Sequence, residues 1–245
     1  MERIVNFHKI ITHSKKTNMK KQILFLFALV TMSLTNVWAY NFSAVAPSGQ
    51  TLYYNINEDN ACVTFQYNYP YTNNYSELAG VLVIPDTVSF NGTTYSVTAI
   101  ADFAFYGCSG LTSVTFPNSI TTVGIEAFAN CSGLTSVTIS NSVTTIGDFA
   151  FRNCSRLTTM AIPNSVASIG IAVFSGCSGL TNVTVDVGNT HYDSRNNYNA
   201  IIETSSNTLT AGFPNTIIPN SVTAIGLWAF YGCSGLTSVT IPNSV

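Results

Sequence analysis

Along most of this chain the apolar residues recur in one fixed order. The stretch Cys131-Ser-Gly-Leu-Thr-Ser-Val-Thr-Ile139 has close copies starting at Cys108, Cys154, Cys177 and Cys233. The first three intervals are 23 residues and the last is 56, one period plus a 33-residue unit. A fixed period in the twenties predicts a solenoid, in which each unit is too small to bury its apolar side and does so only by stacking on its neighbours. The units read Val97–Ser119, Ile120–Ser142, Val143–Ser165, Val166–Gly188, the long unit Asn189–Ser221, and Val222–Ser244. Within a unit, Leu134, Val137 and Ile139 fall as L-x-x-V-x-I, which predicts a short parallel strand with Ser136 and Thr138 facing out. Pro-Asn-Ser turns follow at Pro117, Pro163, Pro219 and Pro242. Val143 and Ile146 then flank a polar pair before Gly147, and Phe149-Ala150-Phe151 leads to Cys154 through what reads as a short helix or 3₁₀ turn. Phe105, Phe128, Phe151, Phe174 and Phe230 repeat in strict phase and are predicted core. At about 4.8 Å per coil, six coils give an axis of about 29 Å.

Residues 40–96 lack this period. Val63-Thr-Phe-Gln-Tyr67 alternates as a half-buried strand does, and Leu78 to Ile84 is a second strand stopped by Pro85. Asn91-Gly92, between Val88-Ser-Phe90 and Thr94-Tyr-Ser-Val97, is a two-residue hairpin signal. A solenoid needs its first open edge covered, so residues 40–96 read as an N-terminal β cap, with a small independent β domain as the alternative.

The chain before residue 40 reads as a leader. From Met19, Lys20 and Lys21 precede the apolar run Ile23 to Leu34, and Val37-Trp38-Ala39 has the form of a signal-peptidase site. The run is shorter than the roughly 20 residues that span a bilayer. Residues 1–18 read as an over-extended gene start or a longer charged signal region. No Cys sits at the cleavage point, which argues against a lipid anchor. Export changes the charge picture, because residues 40–245 keep only Arg152, Arg156 and Arg195 against ten acids, a formal −7. A lysine-free acidic surface does not suit nucleic acid, nor an anionic membrane. With 8% charged residues in the whole chain, the exposed surface must be mainly Ser, Thr, Asn and Tyr.

Five of the 6 cysteines keep the phase, so they form a ladder. Side chains pointing the same way suit buried free thiols better than disulfides, although adjacent coils lie within bridging distance; Cys62 stands apart. No paired C-x₂-C spacing suggests a metal site, and no cofactor is expected. The long unit carries His191, Tyr192, Asp193 and Arg195, the one cluster with a hydrolase-like composition. A single His in an insertion, without a G-x-S-x-G context, points instead to a local Asp193–Arg195 pair. Asp186, Asn189 and Asp193 lack the spacing of a calcium loop.

Two outward rows remain on the strands. One is Ser113, Ser136, Thr159, Asn182 and Ser238; the other is Thr115, Thr138, Ala161, Thr184 and Thr240. They are either a solvated sheet face or a hydroxyl array for proteins or glycans.

The unit I-G-x-x-A-F-x-x-C-x-x-L-T-S-V-x-I-P resembles the BspA-like leucine-rich repeat family of bacterial surface proteins, over residues 97–245. Ala101 departs from the pattern in place of Gly, as do Met160-Ala161 and the Val185-Asp186 pair in place of Ile-Pro. The resemblance implies a right-handed leucine-rich repeat solenoid, mainly β. It also implies secretion or surface display, and non-catalytic adhesion to host matrix or cell-surface proteins or glycans, with no membrane insertion once the signal is removed. A structural spacer within a larger surface protein is the second reading. Val245 opens a further repeat, so the stack is expected to continue beyond it.

Overall fold

The computed structural model describes residues 40–64, 67–68, 72–73, 78–196 and 198–245. The leader at 1–39 lies outside them, as do Phe65 and Gln66 of the first alternating run. β1 (Phe42–Val45) and β2 (Thr51–Asn57) pair antiparallel, as do β2 and β3 (Asn60–Thr64). β4 (Tyr67–Asn68) and β5 (Thr72–Asn73) form a short ribbon. β6 (Ala79–Val83) stops before Pro85. β7 (Thr87–Phe90) and β8 (Thr93–Ile100) meet across Asn91-Gly92, whose φ values of 50° and 80° are those the hairpin signal demands.

Each following coil contributes one front and one back strand. These are β9 (Gly110–Thr115) and β10 (Thr122–Val123), then β11 (Ser136–Thr138) and β12 (Thr145–Ile146), then β13 (Thr159–Ile162) and β14 (Ser168–Ile169). β15 (Asn182–Val185) is a front strand too. In the coils the partners differ by one period, as in Val114↔Val137, Ile146↔Ile169 and Met160↔Val183. The back sheet runs β1-β2-β3-β8-β10-β12-β14, and the front strands form β6-β9-β11 and β13-β15. Residue 97 lies inside β8, and one apolar core runs from Phe42 through the coils to Phe213.

The segment expected to be a short helix or 3₁₀ turn is a run of β-turns with a hydrogen-bond ladder of its own. Ala150, Arg152 and Cys154 donate back to Gly147, Phe149 and Phe151, closing successive turns. The alternate residues Phe149, Phe151 and Asn153 donate to Ile171, Val173 and Ser175 of the next coil, at 2.7–3.0 Å. A helix would aim every one of these N–H groups along its own axis and leave the coils unbonded on this side. Two left-handed residues per coil make the alternation possible. They fall at Phe103, Glu126, Phe149, Ala172 and Trp228, and at Gly107, Asn130, Asn153, Gly176 and Gly232.

Inside, Phe105, Phe128, Phe151 and Phe174 form the predicted column, with centroids 4.9, 5.5 and 5.8 Å apart and planes within 13° of parallel. Burying each contributes about 1.5–3 kcal/mol. Beside it run buried Cys108, Cys131, Cys154 and Cys177, all free thiols. The Sγ of Cys131, Cys154 and Cys177 donates to the carbonyl of Phe105, Phe128 and Phe151 at 3.0–3.2 Å. Phe230 departs from the expected column. Phe213 packs edge-on against Phe174 instead, at 5.8 Å, while Phe230 lies over Gly212, where a Cβ would collide with its ring.

The reason is the long unit. Its strands β16 (Tyr192–Asp193), β17 (Ala200–Glu203) and β18 (Thr208–Gly212) are antiparallel, and β18 then pairs parallel with β19 (Ala224–Ile225). Rather than extending the sheets it follows, this unit caps them. Tyr192 Oη accepts from Ile169 N at 3.0 Å, closing β14. Asn199 Oδ1 and Ser194 Oγ accept from Val183 N and Val185 N at 2.9 and 3.4 Å, closing β15. A second core then begins, made of Ala200, Ile202, Leu209, Ile218 and Val222. At the other end of the front sheet, Gln50 Nε2 donates to Ala79 O and Val81 O, and Ser48 Oγ accepts from Val83 N at 2.9 Å.

Candidate functional site

The front strands hold the predicted hydroxyl rows. Alternation sends Val114 and Val137 inward, so the residues on either side of them point out. Ser136 sits opposite Ser113, with its Oγ donating to Ser113 Oγ at 3.1 Å, and Thr138 sits opposite Thr115. Thr159 pairs with Asn182 and Ala161 with Thr184. Val81 and Val83 of β6 start the two rows, so these begin apolar before they become polar. Ser238 and Thr240 do not join them: Leu236 to Ile241 carries no strand, and the capped edge of β15 stands between.

The rows are not one flat array. β11 and β13 belong to separate ladders, and a groove of about 500 Å³ opens there. Thr138, Ala161 and Thr184 line it together with Asn141, Asp186 and the fully exposed Val187. Ala161 stands where its neighbours have threonine, and the missing hydroxyl and methyl deepen the groove at mid-row. The groove offers hydroxyls, one amide and one carboxylate beside the apolar side chains of Val137, Ile162 and Val185.

Apart from the exposed His191 side chain, the polar cluster of the long unit is held in structural contacts. His191 is exposed, and its main chain receives the contacts: N–H to Asn189 Oδ1 at 2.8 Å, and C=O from Thr204. Asp193 binds Arg195 Nε at 3.0 Å, while the Arg195 guanidinium also reaches Ser221 and Asn207. Buried Asn189 donates to Pro163 O and Val166 O at 2.8 and 2.9 Å, stapling the long unit to the turn that joins the two coils before it. Asp186 Oδ1 accepts from Gly188 N. Among the described residues no group of three His, Cys, Asp or Glu side chains is placed to hold a metal ion. Nor is any helix there long and apolar enough to cross a membrane.

Three groups in this part of the chain, Cys108, Cys154 and Tyr192, are shifted upward. Cys108 and Cys154 are pushed up by hydrogen bonding to Cys131 and Cys177 and by burial, so they stay thiols rather than nucleophilic thiolates. Tyr192 is raised mainly by burial, which keeps its hydroxyl in place against Ile169 N.

Sequence reasoning passed over the outer edge of the turns. Phe103, Phe149 and Trp228 hold the left-handed conformation, with φ of 58°, 56° and 60°. For side chains with a Cβ this costs roughly 1–2 kcal/mol each. Trp228 is 47% exposed and Phe103 42% exposed. The available signal was variation between repeats: this position holds Phe, Glu, Phe, Ala and Trp, whereas the residue two further on is Phe in every one of these coils.

Parallel ladders one period apart, a phenylalanine column and inter-coil turns together define a repeat solenoid, a class that works through its long faces. The chain belongs to the BspA type leucine rich repeat family, whose pattern matches residues 88–202 and 200–245 in 6 copies. No curated protein matches it. Among solved structures it is similar to the pneumococcal vaccine antigen PcpA, at 14% identity over 84% of this chain and 71% of that one, TM-score 0.51. A leucine-rich repeat protein from Bacteroides ovatus is similar at 22% identity over 84% of this chain and 54% of that one, TM-score 0.50. The leucine rich repeat protein of T. pallidum is 24% identical over 85% and 71%, TM-score 0.46. The first two of these likenesses speak for the fold alone.

Proposed function

We propose that this chain is an exported, non-catalytic binding protein, secreted or held at the cell surface, that acts as an adhesin through its front sheet face. The partner is a host matrix protein, a cell-surface protein or a glycan. One observation carries the reading: the groove at the break between β11 and β13 is bordered by the outward Thr138, Ala161 and Thr184 row. Contacts there are individually weak, and display of many copies supplies avidity. The sequence signs of a leader and the low charge of the surface support export.

The test is saturable binding of the full chain to immobilised matrix proteins, mucins and glycans, beside a Thr138→Lys, Thr184→Lys double variant. Loss of at least tenfold in affinity in a folded double variant supports the sheet face. Full retention moves the contact to another surface, and absence of binding across the panel favours a structural spacer.

A further inference from the structure

We infer a second binding site, on the turn edge of the coils: an aromatic row that stacks on the sugar rings of an uncharged glycan. The row has two islands. Phe103 and Tyr106 form one, with centroids 6.1 Å apart. Phe149, Trp228 and Tyr231 form the other, at 5.6 and 5.5 Å. The rings of the second island are tilted by 45° and 32° to one another, and Trp228 and Tyr231 are 47% and 57% exposed, so their ring surface is open to solvent. Ala172 lies between the coils of Phe149 and Trp228, and its small side chain lets the two rings meet across it.

Folding alone does not account for these residues. The second left-handed position of each turn is always Gly or Asn, the residues that tolerate that conformation, whereas the first holds bulky aromatics in three of five coils. An exposed aromatic in a strained backbone position marks a surface kept for contact.

The chemistry around the row selects the occupant. Its charges are already engaged: Glu126 with Arg152 at 3.0 Å, and Asp102 and Asp148 with the N–H groups of Ile125 and Ile171. Arg152 also lies over the Phe149 ring, at 5.5 Å. Along the same edge runs an amide ladder, with Asn153 Nδ2 donating to Asn130 Oδ1 at 2.8 Å. A protein interface needs a continuous apolar centre. Here the apolar islands alternate with polar ground, as the C–H faces and hydroxyl edges of a sugar chain do. Their spacing of at least two coils, about 9.6 Å, lets one chain touch both.

The probe is the full chain carrying Trp38→Phe, so that tryptophan emission reports Trp228 alone, titrated with soluble neutral β-glucan, mannan and galactan. A saturable emission change with at least one of them is expected. Trp228→Asn, followed by calorimetry, weakens that binding at least tenfold while the melting temperature stays level or rises, because Asn suits the left-handed backbone. Tyr231→Ser weakens it too, without touching a strained residue. The Thr138→Lys, Thr184→Lys variant keeps it, so the two sites stand or fall separately. Absence of binding to all three polysaccharides overturns the assignment. Undiminished binding in both aromatic variants does so too, as does aromatic-dependent binding to matrix proteins alone.

Discussion

Before the long unit the stack has a continuous column of parallel rings and two laddered faces; from the long unit onward there is a small aliphatic core and one four-stranded sheet, β16-β17-β18-β19. Both regions carry the same repeat letters. Periodic letters give a continuous core only where each coil lands on another coil, and after Val185 the chain lands on a hairpin instead. Tyr192, Asn199 and Ser194 finish the preceding sheets as side-chain caps, so the repeat that follows starts its ladder afresh on β18, while its turn edge still packs against the coils before the long unit.

The strongest way to break this comparison is through the column. Phe128→Ala removes a ring held between Phe105 and Phe151 and is expected to cost about 3–5 kcal/mol in urea denaturation. Leu209→Ala in the second core should cost about 2 kcal/mol, because a small cluster collapses more readily. Hydrogen exchange should localise that loss to β17, β18 and β19, leaving β10 and β12 protected; equal deprotection of both regions would refute the division.

The next effect lies at the caps. Asn199→Ala strands Val183 N–H and Pro214 C=O in a buried setting and should cost about 2 kcal/mol. Gln50→Ala at the opposite edge, where water can replace the amide, should cost under about 1 kcal/mol in the same melt.

The smallest effect is alkaline. Unfolded thiols ionise from about pH 9.0, whereas Cys108 and Cys154 have raised values when folded. The unfolded state therefore loses its protons first. Stability from these groups is intact below pH 9.0 and falls as the pH rises above it. Serine at both positions should flatten that slope, while a stability curve level through pH 10 in the parent chain would contradict it.

Much of this architecture is legible in the sequence, for a physical reason. Val137 and Ile139 must alternate to line a strand, Phe151 must recur to fill a column, and Asn91-Gly92 must accept positive φ, so each leaves a mark on composition. The left-handed backbone at Phe149 leaves none, because hydrogen bonds between coils impose it. Leu78 to Ile84 reads as a strand, but its place opposite β9 is hidden by the β7–β8 hairpin inserted after it. The rows on the face are legible up to Thr184. Their end is not, since it depends on Asn199 reaching back 16 residues to Val183.

The regular register also has a mechanical consequence. A folded coil advances the axis by about 4.8 Å. Peeled off and pulled straight, its 23 residues span roughly 80 Å. Under tension, a tether made this way lengthens in discrete steps, the small segment past the long unit yielding first. On the adhesin function proposed above, a cell or particle held by it would feel a load limiter, one that gives up stored length a coil at a time while the ring column stays shut.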